Sequence, residues 1–401
     1  MRLGIVYLVY CDVRDGAYTT MAAFARYVEA LLPYVDNVRL MLPVSRTRPL
    51  ERAGYPLAQH PKIEVLELPA IYHLKDFFRD YYKHKALLRK GIADCDLINI
   101  RSPNFLSLIA GEECLRTNKP FFMNLVGDYN DVIRGENYTG LKKILGNILL
   151  NNHEARLKRL LANCYVLALG GGLYEKYHNY AKKMEIITTT TINNEDLYKR
   201  EDTCLAEPAR ILTVAVMQGY KGIPHLIDAA ALLKEKGRNV VFDLLGTGSR
   251  LDDYRAAAKE KGLDGVVNFH GFVQYGPRLF DFYRQSDMFL LPSIGAEGTP
   301  RVVIEALSQS LPVIATKVGG NPWTIEDGVT GLLIEPGDPR AIADAIERII
   351  DDGELRRRLI NKSYERASDF TLENHSRDLF NKLSREFPGM FKKENGAAIG
   401  S

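Results

Sequence analysis

The 401-residue sequence lacks any apolar run near the roughly 18 residues that a membrane-spanning helix needs. It has only five cysteines, an odd number, and none of them forms a C-x-x-C pair. This usage argues against a disulfide framework and a zinc site, and it is typical of reduced thiols in a cytosol. The opening run M-R-L-G-I-V-Y-L-V-Y has no small-residue cleavage site, so we expect a first strand there and not a signal peptide. The histidines show no metal-ligand spacing, and no metal or cofactor is expected.

The composition is that of a soluble globular protein, with 46% hydrophobic and 26% charged residues. A chain of this length favours two domains. Charge is distributed unevenly: residues 1–200 carry 28 basic against 21 acidic side chains, whereas residues 201–401 carry 25 against 29. The basic half could face an anionic partner, such as a phospholipid surface or a lipid-diphosphate acceptor. The alternative is an ordinary solvated basic face.

Strand-like runs alternate with amphipathic stretches in both halves, which predicts an α/β protein with two doubly wound parallel sheets. We expect a first domain over residues 1–197, a second over 198–371, and a C-terminal helix and tail over 372–401 that could pack back on the first domain. Strands are predicted at Leu3–Tyr10, Val38–Pro43, Ile63–Leu68, Leu97–Ile100, Phe121–Val126, Tyr165–Leu169, Arg210–Val216, Val240–Leu245, Val266–Phe269, Met288–Leu291, Val313–Ala315 and Gly331–Ile334. Helices are predicted at Tyr18–Leu32, Phe77–Lys90, Phe105–Thr117, Leu141–Leu161, Ile223–Lys236, Arg250–Lys261, Arg278–Ser286, Val302–Ser310, Pro339–Asp351 and Leu372–Glu386.

Loops after three strands of the second half have residues suited to phosphate and sugar. Gly246 and Gly248 follow one strand, so the backbone there can approach a ligand closely, although such loops are often only tight turns. Lys221 follows another strand and could pair with a diphosphate, or it could be a solvated turn lysine.

A third loop, E-G-T-P-R-V-V-I-E, places Glu297 before a short apolar helix and Glu305 inside it. The amides at the start of that helix could hold a phosphate. A carboxylate at Glu305 could accept two ribose hydroxyls, which would offset the cost of its burial. The alternative is a buried ion pair, for example with Arg301.

Five segments follow one another in a recognisable order: V-N-F-H-G-F-V, Y-R-Q-S-D-M-F-L-L-P-S, E-G-T-P-R-V-V-I-E-A-L, L-P-V-I-A-T-K-V-G-G and G-L-L-I-E-P-G-D. Together they resemble the retaining glycosyltransferases of family 4, which have the GT-B fold of two Rossmann-like domains facing across a cleft. The resemblance extends from about Ile211 to Asp351, and Glu297 and Glu305 match the E-x7-E motif of that family. The segments D-L-I-N-I-R-S-P-N and N-L-V-G-D-Y-N-D resemble its capsular and cell-surface polysaccharide branch.

The resemblance implies roles for individual residues. Glu305 would bind the ribose and Glu297 the donor sugar, while Lys221 would pair with the phosphates. The remaining donor-binding positions implied are Gly298, Thr299, Pro300, Arg301, Val302 and Val303, with Gly246 and Gly248 in the preceding loop and Gly16 in the first half.

The sequence departs from the family at two points. No arginine precedes Lys221 in V-A-V-M-Q-G-Y-K-G, so Arg301 or another basic residue would supply that charge. The first half also lacks the family's histidine after a middle strand, and Asp128 is the nearest polar substitute for a catalytic role. The D-x-D motif at Asp94–Asp96 precedes a strand instead of following one, and we interpret it as incidental.

We therefore expect a retaining, metal-independent hexosyltransferase with a nucleotide-sugar donor and a glycan or lipid-linked acceptor, and no nucleic-acid partner. We expect the enzyme to lie in the cytoplasm and to contribute to the synthesis of a cell-surface polysaccharide. Contact with the inner face of the membrane is an open alternative. Two other hypotheses are a nucleotide-sugar epimerase or hydrolase, which would use Asp128 or Asp131 as a base, and a non-catalytic sugar-nucleotide binding protein.

Overall fold

A computed structural model describes residues 1–47, 54–127, 141–188, 190–295, 298 and 300–391, with only the backbone of 141–145. Contacts within the chain divide it into two compact units. One unit is Met1–Thr188 together with the segment that begins at His375, and the other is Thr189–Asn374. Among the described residues, no helix is long and apolar enough to cross a membrane.

The first unit is built on a seven-stranded parallel sheet. Its strands are β1 (Arg2–Val6), β4 (Asn37–Pro43), β6 (Ile63–Leu68), β7 (Leu97–Ser102), β8 (Phe121–Leu125), β9 (Tyr165–Leu169) and β10 (Lys183–Ile187), in the order β10-β9-β8-β7-β1-β4-β6. Its helices are α1 (Ala22–Leu31), α2 (Leu74–Arg79), α3 (Tyr81–Ala93), α4 (Phe105–Arg116), α5 (Leu141–Leu161) and α6 (Gly171–Tyr177). Strands buried on both faces explain the continuous apolar runs in this half.

A small antiparallel sheet lies beside it, formed by β2 (Cys11–Arg14), β3 (Ala17–Thr20) and β5 (Tyr55–Pro56). Two predictions were wrong here, because the first strand ends at Val6 and the first helix begins only at Ala22. The residues between them form a hairpin, since Asp15 and Gly16 have φ angles of 50° and 79° and make a two-residue turn. Asp-Gly is a favoured pair for such a turn.

The second unit contains a six-stranded parallel sheet in the order β13-β12-β11-β14-β15-β16. Its strands are β11 (Ala209–Val214), β12 (Val240–Leu245), β13 (Val267–Gly271), β14 (Met288–Leu291), β15 (Val313–Thr316) and β16 (Leu332–Ile334). Its helices are α7 (Ile223–Glu235), α8 (Leu251–Glu260), α9 (Pro277–Gln285), α10 (Arg301–Ser308), α11 (Asn321–Thr324), α12 (Pro339–Asp351) and α13 (Gly353–Asp369). One apolar cluster lies against α7 and α12, and a second lies against α9 and α10.

The last helix, α14 (Leu372–Glu386), has its apolar face in the first unit. Leu379, Phe380 and Leu383 are buried in the same cluster as Leu3 and Ile5 of β1. The chain therefore returns to the first sheet after completing the second.

Candidate functional site

The strand order of the second sheet indicates where a ligand would bind. From β11 the chain proceeds to β12 and β13 on one side, and then to β14 and β15 on the other. The loops after the neighbouring strands β11 and β14 therefore start side by side at the carboxyl edge of the sheet, before the chain continues to strands on opposite sides. Such a switch point is where open parallel α/β sheets bind their ligands.

These two loops are held together by close backbone contact. The amides of Ile294 and Gly295 donate to the Tyr220 carbonyl at 2.8 and 3.2 Å. Gly222 has a φ of 67°, and a Cβ there would lie 1.9 Å from the carbonyl oxygen of Pro292. Only glycine fits this position, so the contact fixes the Lys221 loop against the loop that leads to α10.

Lys221 is the last residue of a short 3-10 turn, Gly219–Lys221, at this edge. Its side chain is half-buried, and Nζ lies 5.0 Å from the centre of the Tyr220 ring. An ammonium near an aromatic ring is favourably placed electrostatically. The structure thus places Lys221 at the switch point, and its pairing with a diphosphate stays a prediction.

Gly246 and Gly248 lie in the neighbouring loop after β12. A Cβ on Gly246, which has a φ of 132°, would lie 1.9 Å from the Ala215 carbonyl oxygen, and one on Gly248 would lie 2.4 Å from that of Met217. Packing of one loop on the next therefore explains both glycines. Their contact with a donor stays a prediction.

The start of α10 presents amides at the same edge. Pro300 is the N-cap residue, and among the described residues no side chain makes a capping hydrogen bond to this helix start. The Val303 amide donates to the Pro300 carbonyl at 3.0 Å, and the Val303 side chain is fully buried. Arg301 and Val302 are half-buried in the first turn, where amides point out of the helix and the dipole favours an anion.

Glu305 is the most buried charged candidate of the described residues, with 5% of its surface exposed. Its Oε1 accepts from the Thr191 hydroxyl at 2.8 Å, and its Oε2 accepts from the Tyr283 hydroxyl at 2.9 Å. Burial and the Glu305 carboxylate raise the pKa of Tyr283 well above its usual value, so Tyr283 stays a donor. A carboxylate oxygen has two acceptor positions, so it can accept from more than one donor.

Sequence reasoning missed both partners of Glu305. Tyr283 is in the Y-R-Q-S-D-M-F-L-L-P-S segment but carries no signal of its own there, and Thr191 is one of four consecutive threonines. Only the fold shows that these hydroxyls meet one carboxylate.

Several predicted site residues lie elsewhere. Glu297, Thr299 and Asp128 are outside the described residues, and Gly298 is exposed. Gly16 forms the hairpin turn of the first unit, which accounts for its backbone conformation.

The D-x-D motif has structural partners. Asp94 accepts from the Arg39 guanidinium at 2.6 Å, which lowers the pKa of Asp94, and Asp96 accepts from the Arg2 amide at 2.6 Å. Within the described ranges, no group of three or more histidine, cysteine or acidic side chains could hold a metal ion.

Comparison with solved structures defines the fold class. The chain resembles Anabaena HepE, crystallised with UDP, over 96% of its length and all of that chain, with a TM-score of 0.70 and 18% identity. It is also similar to sucrose-phosphate synthase from Thermosynechococcus elongatus over 96% of its length and 99% of that chain, with a TM-score of 0.72 and 19% identity. The predicted fold class, GT-B with two Rossmann-like domains, is therefore confirmed.

Sequence comparison then adds a family match within the second unit. The family described as Glycosyl transferases group 1 matches residues 195–366, which is less than half of the chain. The lipopolysaccharide core biosynthesis glycosyltransferase LpsE of Rhizobium meliloti is 30% identical over 57% of this chain and 65% of its own length. Alpha-D-kanosaminyltransferase of Streptomyces kanamyceticus is 32% identical over 40% of this chain and 41% of its own length. The matches thus span less than two thirds of these two relatives.

A longer but weaker match is to protein CapJ of Staphylococcus aureus, which is 26% identical over 73% of each chain. The amylovoran biosynthesis glycosyltransferase AmsK of Erwinia amylovora is 30% identical over 41% of each. Relatives named for polysaccharide biosynthesis therefore recur among the similar proteins.

Proposed function

We propose that this protein is a glycosyltransferase that moves a sugar from a nucleotide-sugar donor to a hydroxyl of a glycan or lipid-linked acceptor. One observation carries the proposal: the group 1 match over residues 195–366 coincides with the switch point that has Lys221, the start of α10 and Glu305.

The proposed donor contacts follow from the chemistry of each group. Glu305, a charged acceptor held in place by Thr191 and Tyr283, accepts the ribose hydroxyls. Lys221 and the amides of Arg301 and Val302 receive the diphosphate. These dipoles and charges are fixed before the reaction, so they stabilise negative charge as it develops on the leaving group.

The finer mechanism is proposed from the family 4 resemblance. Transfer retains the anomeric configuration, and the leaving phosphate takes the proton of the acceptor hydroxyl on the same face of the sugar. Glu297 is proposed to contact the donor sugar, and Asp128 to take the catalytic place of the family's histidine. The reaction is proposed to need no metal, and the product to be a cell-surface polysaccharide, which the names of LpsE and AmsK support.

A thermal-shift panel of UDP-, GDP-, ADP- and TDP-sugars tests donor binding, because a ligand at 100 times its Kd stabilises the native state by about 2.7 kcal/mol. UDP-sugars come first, since HepE was crystallised with UDP and with UDP-glucose. No shift with any nucleotide sugar would overturn the proposal.

Turnover assays distinguish the alternatives. Sugar transfer to an added acceptor, unchanged by excess EDTA, is the expected result, and NMR of the product reports its anomeric configuration. Release of free sugar without an acceptor would identify a hydrolase, and a changed donor sugar would identify an epimerase. Loss of activity in EDTA with recovery in Mn²⁺ would contradict metal independence.

We also propose that the first unit meets an anionic membrane surface through one face of α2 and α3. Leu74, Phe78 and Tyr82 are 43%, 50% and 84% exposed and recur every four residues. Lys75 and Lys83 are exposed beside them. Exposed apolar side chains next to lysines are typical of surfaces that lie on anionic lipid.

A further inference from the structure

We propose that the first unit contains an oxyanion-binding site centred on Arg101. In its sheet, β1 is followed in the chain by β4 and β6 on one side, and β7 then lies on the other side of β1. The carboxyl ends of β1 and β7 therefore form the switch point of this sheet, where a ligand is expected. Arg101 is near the end of β7, and Tyr7 directly follows β1.

Aromatic rings hold the Arg101 guanidinium at this switch point. Its central carbon lies 4.9 Å from the centre of the Tyr7 ring and 4.6 Å from that of the Tyr27 ring. The Tyr27 hydroxyl in turn accepts from the Asn99 amide at 2.8 Å, which fixes this ring. A guanidinium held over its aromatic neighbours keeps its planar donor edge in a fixed orientation, which suits an oxyanion.

The charge of Arg101 is not neutralised by a carboxylate within the described parts of the chain. The two most buried arginines of the described residues, in contrast, both have carboxylate partners. Arg39 contacts Glu64 and Asp94, and Arg356 contacts Asp202.

The Nε of Arg101, by comparison, is buried with no hydrogen-bond acceptor among the described groups. A buried donor without an acceptor is costly, and an oxyanion would supply that acceptor.

Two further polar groups lie near Arg101 and Tyr27. Asn124, 4% exposed, is paired with Arg101 in the register of β7 and β8, and the His375 ring, 8% exposed, lies 6.0 Å from the Tyr27 ring. The Oδ1 of Asn124 and the Nδ1 of His375 are buried without a described partner. A ligand that has hydroxyls beside its anionic group would match this combination, since the guanidinium receives the anion and the amide oxygen receives a hydroxyl.

The ligand class is therefore a sugar with a phosphate or a carboxylate. The assignment of this sugar to the acceptor rests on the proposed transferase function, whereas the binding site itself does not. Phosphate would come from a sugar phosphate or a lipid-linked diphosphate, and carboxylate from a uronic acid. Both kinds of ligand would place an oxyanion against the N–H donors of the Arg101 guanidinium.

The test measures binding of inorganic phosphate and of glucuronate by calorimetry, with the full chain in a Lys221→Ala background, which removes the lysine proposed to pair with phosphate at the donor site. Arg101→Gln should weaken binding of at least one anion by about 10- to 100-fold, as expected for loss of a charge-assisted hydrogen bond. Arg101→Lys keeps the positive charge but lacks the planar set of guanidinium donors, so it should weaken anion binding less than Arg101→Gln does. Arg156→Gln, which breaks an ion pair with Glu112 in the same unit, is the matched charge control and should change neither affinity.

A measurement on the unmutated protein covers the case in which Arg101→Gln does not fold. Phenylglyoxal labels guanidinium groups, and mass spectrometry follows Arg101 and Arg156 separately. Phosphate or glucuronate should protect Arg101 and leave labelling of Arg156 unchanged.

Protection by phosphate points to a phosphorylated ligand, and protection by glucuronate points to a uronic acid. Equal labelling of Arg101 with and without both anions would overturn the site. That result would leave the proposed transferase untouched, because donor binding is measured independently of these anions.

Discussion

At the residue scale, Glu305 is the carboxylate whose surroundings make the clearest prediction. Glu305→Gln should weaken nucleotide binding by about 1.5–3 kcal/mol, because the ribose loses a charged acceptor. The fold should persist, since the hydroxyls of Thr191 and Tyr283 can rotate and accept from the new amide. Calorimetry with the nucleoside diphosphate measures the loss.

The matched control is Glu335→Gln, which changes an exposed glutamate of the same unit that pairs with Lys317. It removes the same charge away from the Thr191 and Tyr283 hydroxyls, so nucleotide affinity should not change. Equal affinities in wild type, Glu305→Gln and Glu335→Gln would remove the ribose assignment of Glu305.

Lys221 should act mainly on the departing diphosphate, so Lys221→Ala should lower kcat more than it raises the Kd of the donor. Loss of one charged contact in the transition state corresponds to roughly 10- to 100-fold in kcat. Steady-state kinetics at saturating donor gives kcat, and calorimetry gives the donor Kd. Lys259→Ala, on α8, is the control, and identical kcat values for the two variants would contradict the role.

At the element scale, contact between neighbouring loops should decide stability. Gly222→Ala places a Cβ 1.9 Å from the Pro292 carbonyl at a positive φ, so it should destabilise the second unit by about 1–3 kcal/mol or more. Gly219→Ala, in the same loop, meets nothing within 4 Å and should be nearly neutral. Trp323, the chain's one tryptophan, lies in the second unit, so urea unfolding followed by its fluorescence compares the two variants. Similar midpoints would show that the loops can separate without cost.

The bounds of the helices and strands show how much of the fold could be predicted from the sequence. An amphipathic helix such as Leu372–Glu386 agrees with prediction to the residue, and so do the strand Ile63–Leu68 and the helix Leu141–Leu161. The hairpin over residues 11–20 was missed because its strands are only four residues long, and the Asp15-Gly16 pair was read as a ligand loop. Short strands carry too few alternations to outweigh a neighbouring pattern.

The candidate site was predictable to a similar extent. Loop positions after strands, together with the E-x7-E spacing, predicted Lys221 and Glu305 at the carboxyl edge of one sheet. Thr191, by contrast, is 114 positions from Glu305 and meets it only through folding. A single sequence contains no signal for such a pair, because periodicity reports which face is buried and not which side chains touch.

At the scale of the whole molecule, a buried histidine makes stability depend on pH. Burial, with a smaller effect from the Arg101 charge, lowers the pKa of His375 to about 4 from its usual 6.5. A depressed pKa favours the native state above pH 6.5, and this contribution is lost as the pH falls from about 6.5 towards 4. Between about pH 7.5 and pH 5 the first unit should lose roughly 2 kcal/mol through this group.

Urea unfolding followed by far-UV circular dichroism, alongside Trp323 fluorescence, separates the first unit from the second. His375→Gln should flatten the pH dependence of the first unit by about the same 2 kcal/mol. A slope unchanged by the substitution would assign the pH dependence to other groups, such as His84, whose pKa burial also lowers to about 4.

Contact with a membrane is the last prediction at this scale, and it combines charge with apolar surface. The protein should cosediment with anionic vesicles at low salt, because each lysine near the surface contributes about 1 kcal/mol and apolar side chains add to it. Replacing Leu74, Phe78 and Tyr82 by serine should weaken binding at every salt concentration, since burial of apolar area is not screened. Lys75→Glu with Lys83→Glu should instead weaken it most at low salt, where the Debye length is longest.

The contributions of charge and of apolar surface can therefore be separated by a salt titration from about 0.05 to 0.5 M NaCl, over which the Debye length falls to a few ångströms. Lys259→Glu with Lys261→Glu, which changes the same charge in the second unit, is the control and should bind as the wild type does. Cosedimentation that is absent at low salt, or that responds equally to the control and to the α2–α3 variants, would contradict the membrane proposal. The transferase proposal would remain, because it depends on Lys221 and Glu305 in the other unit.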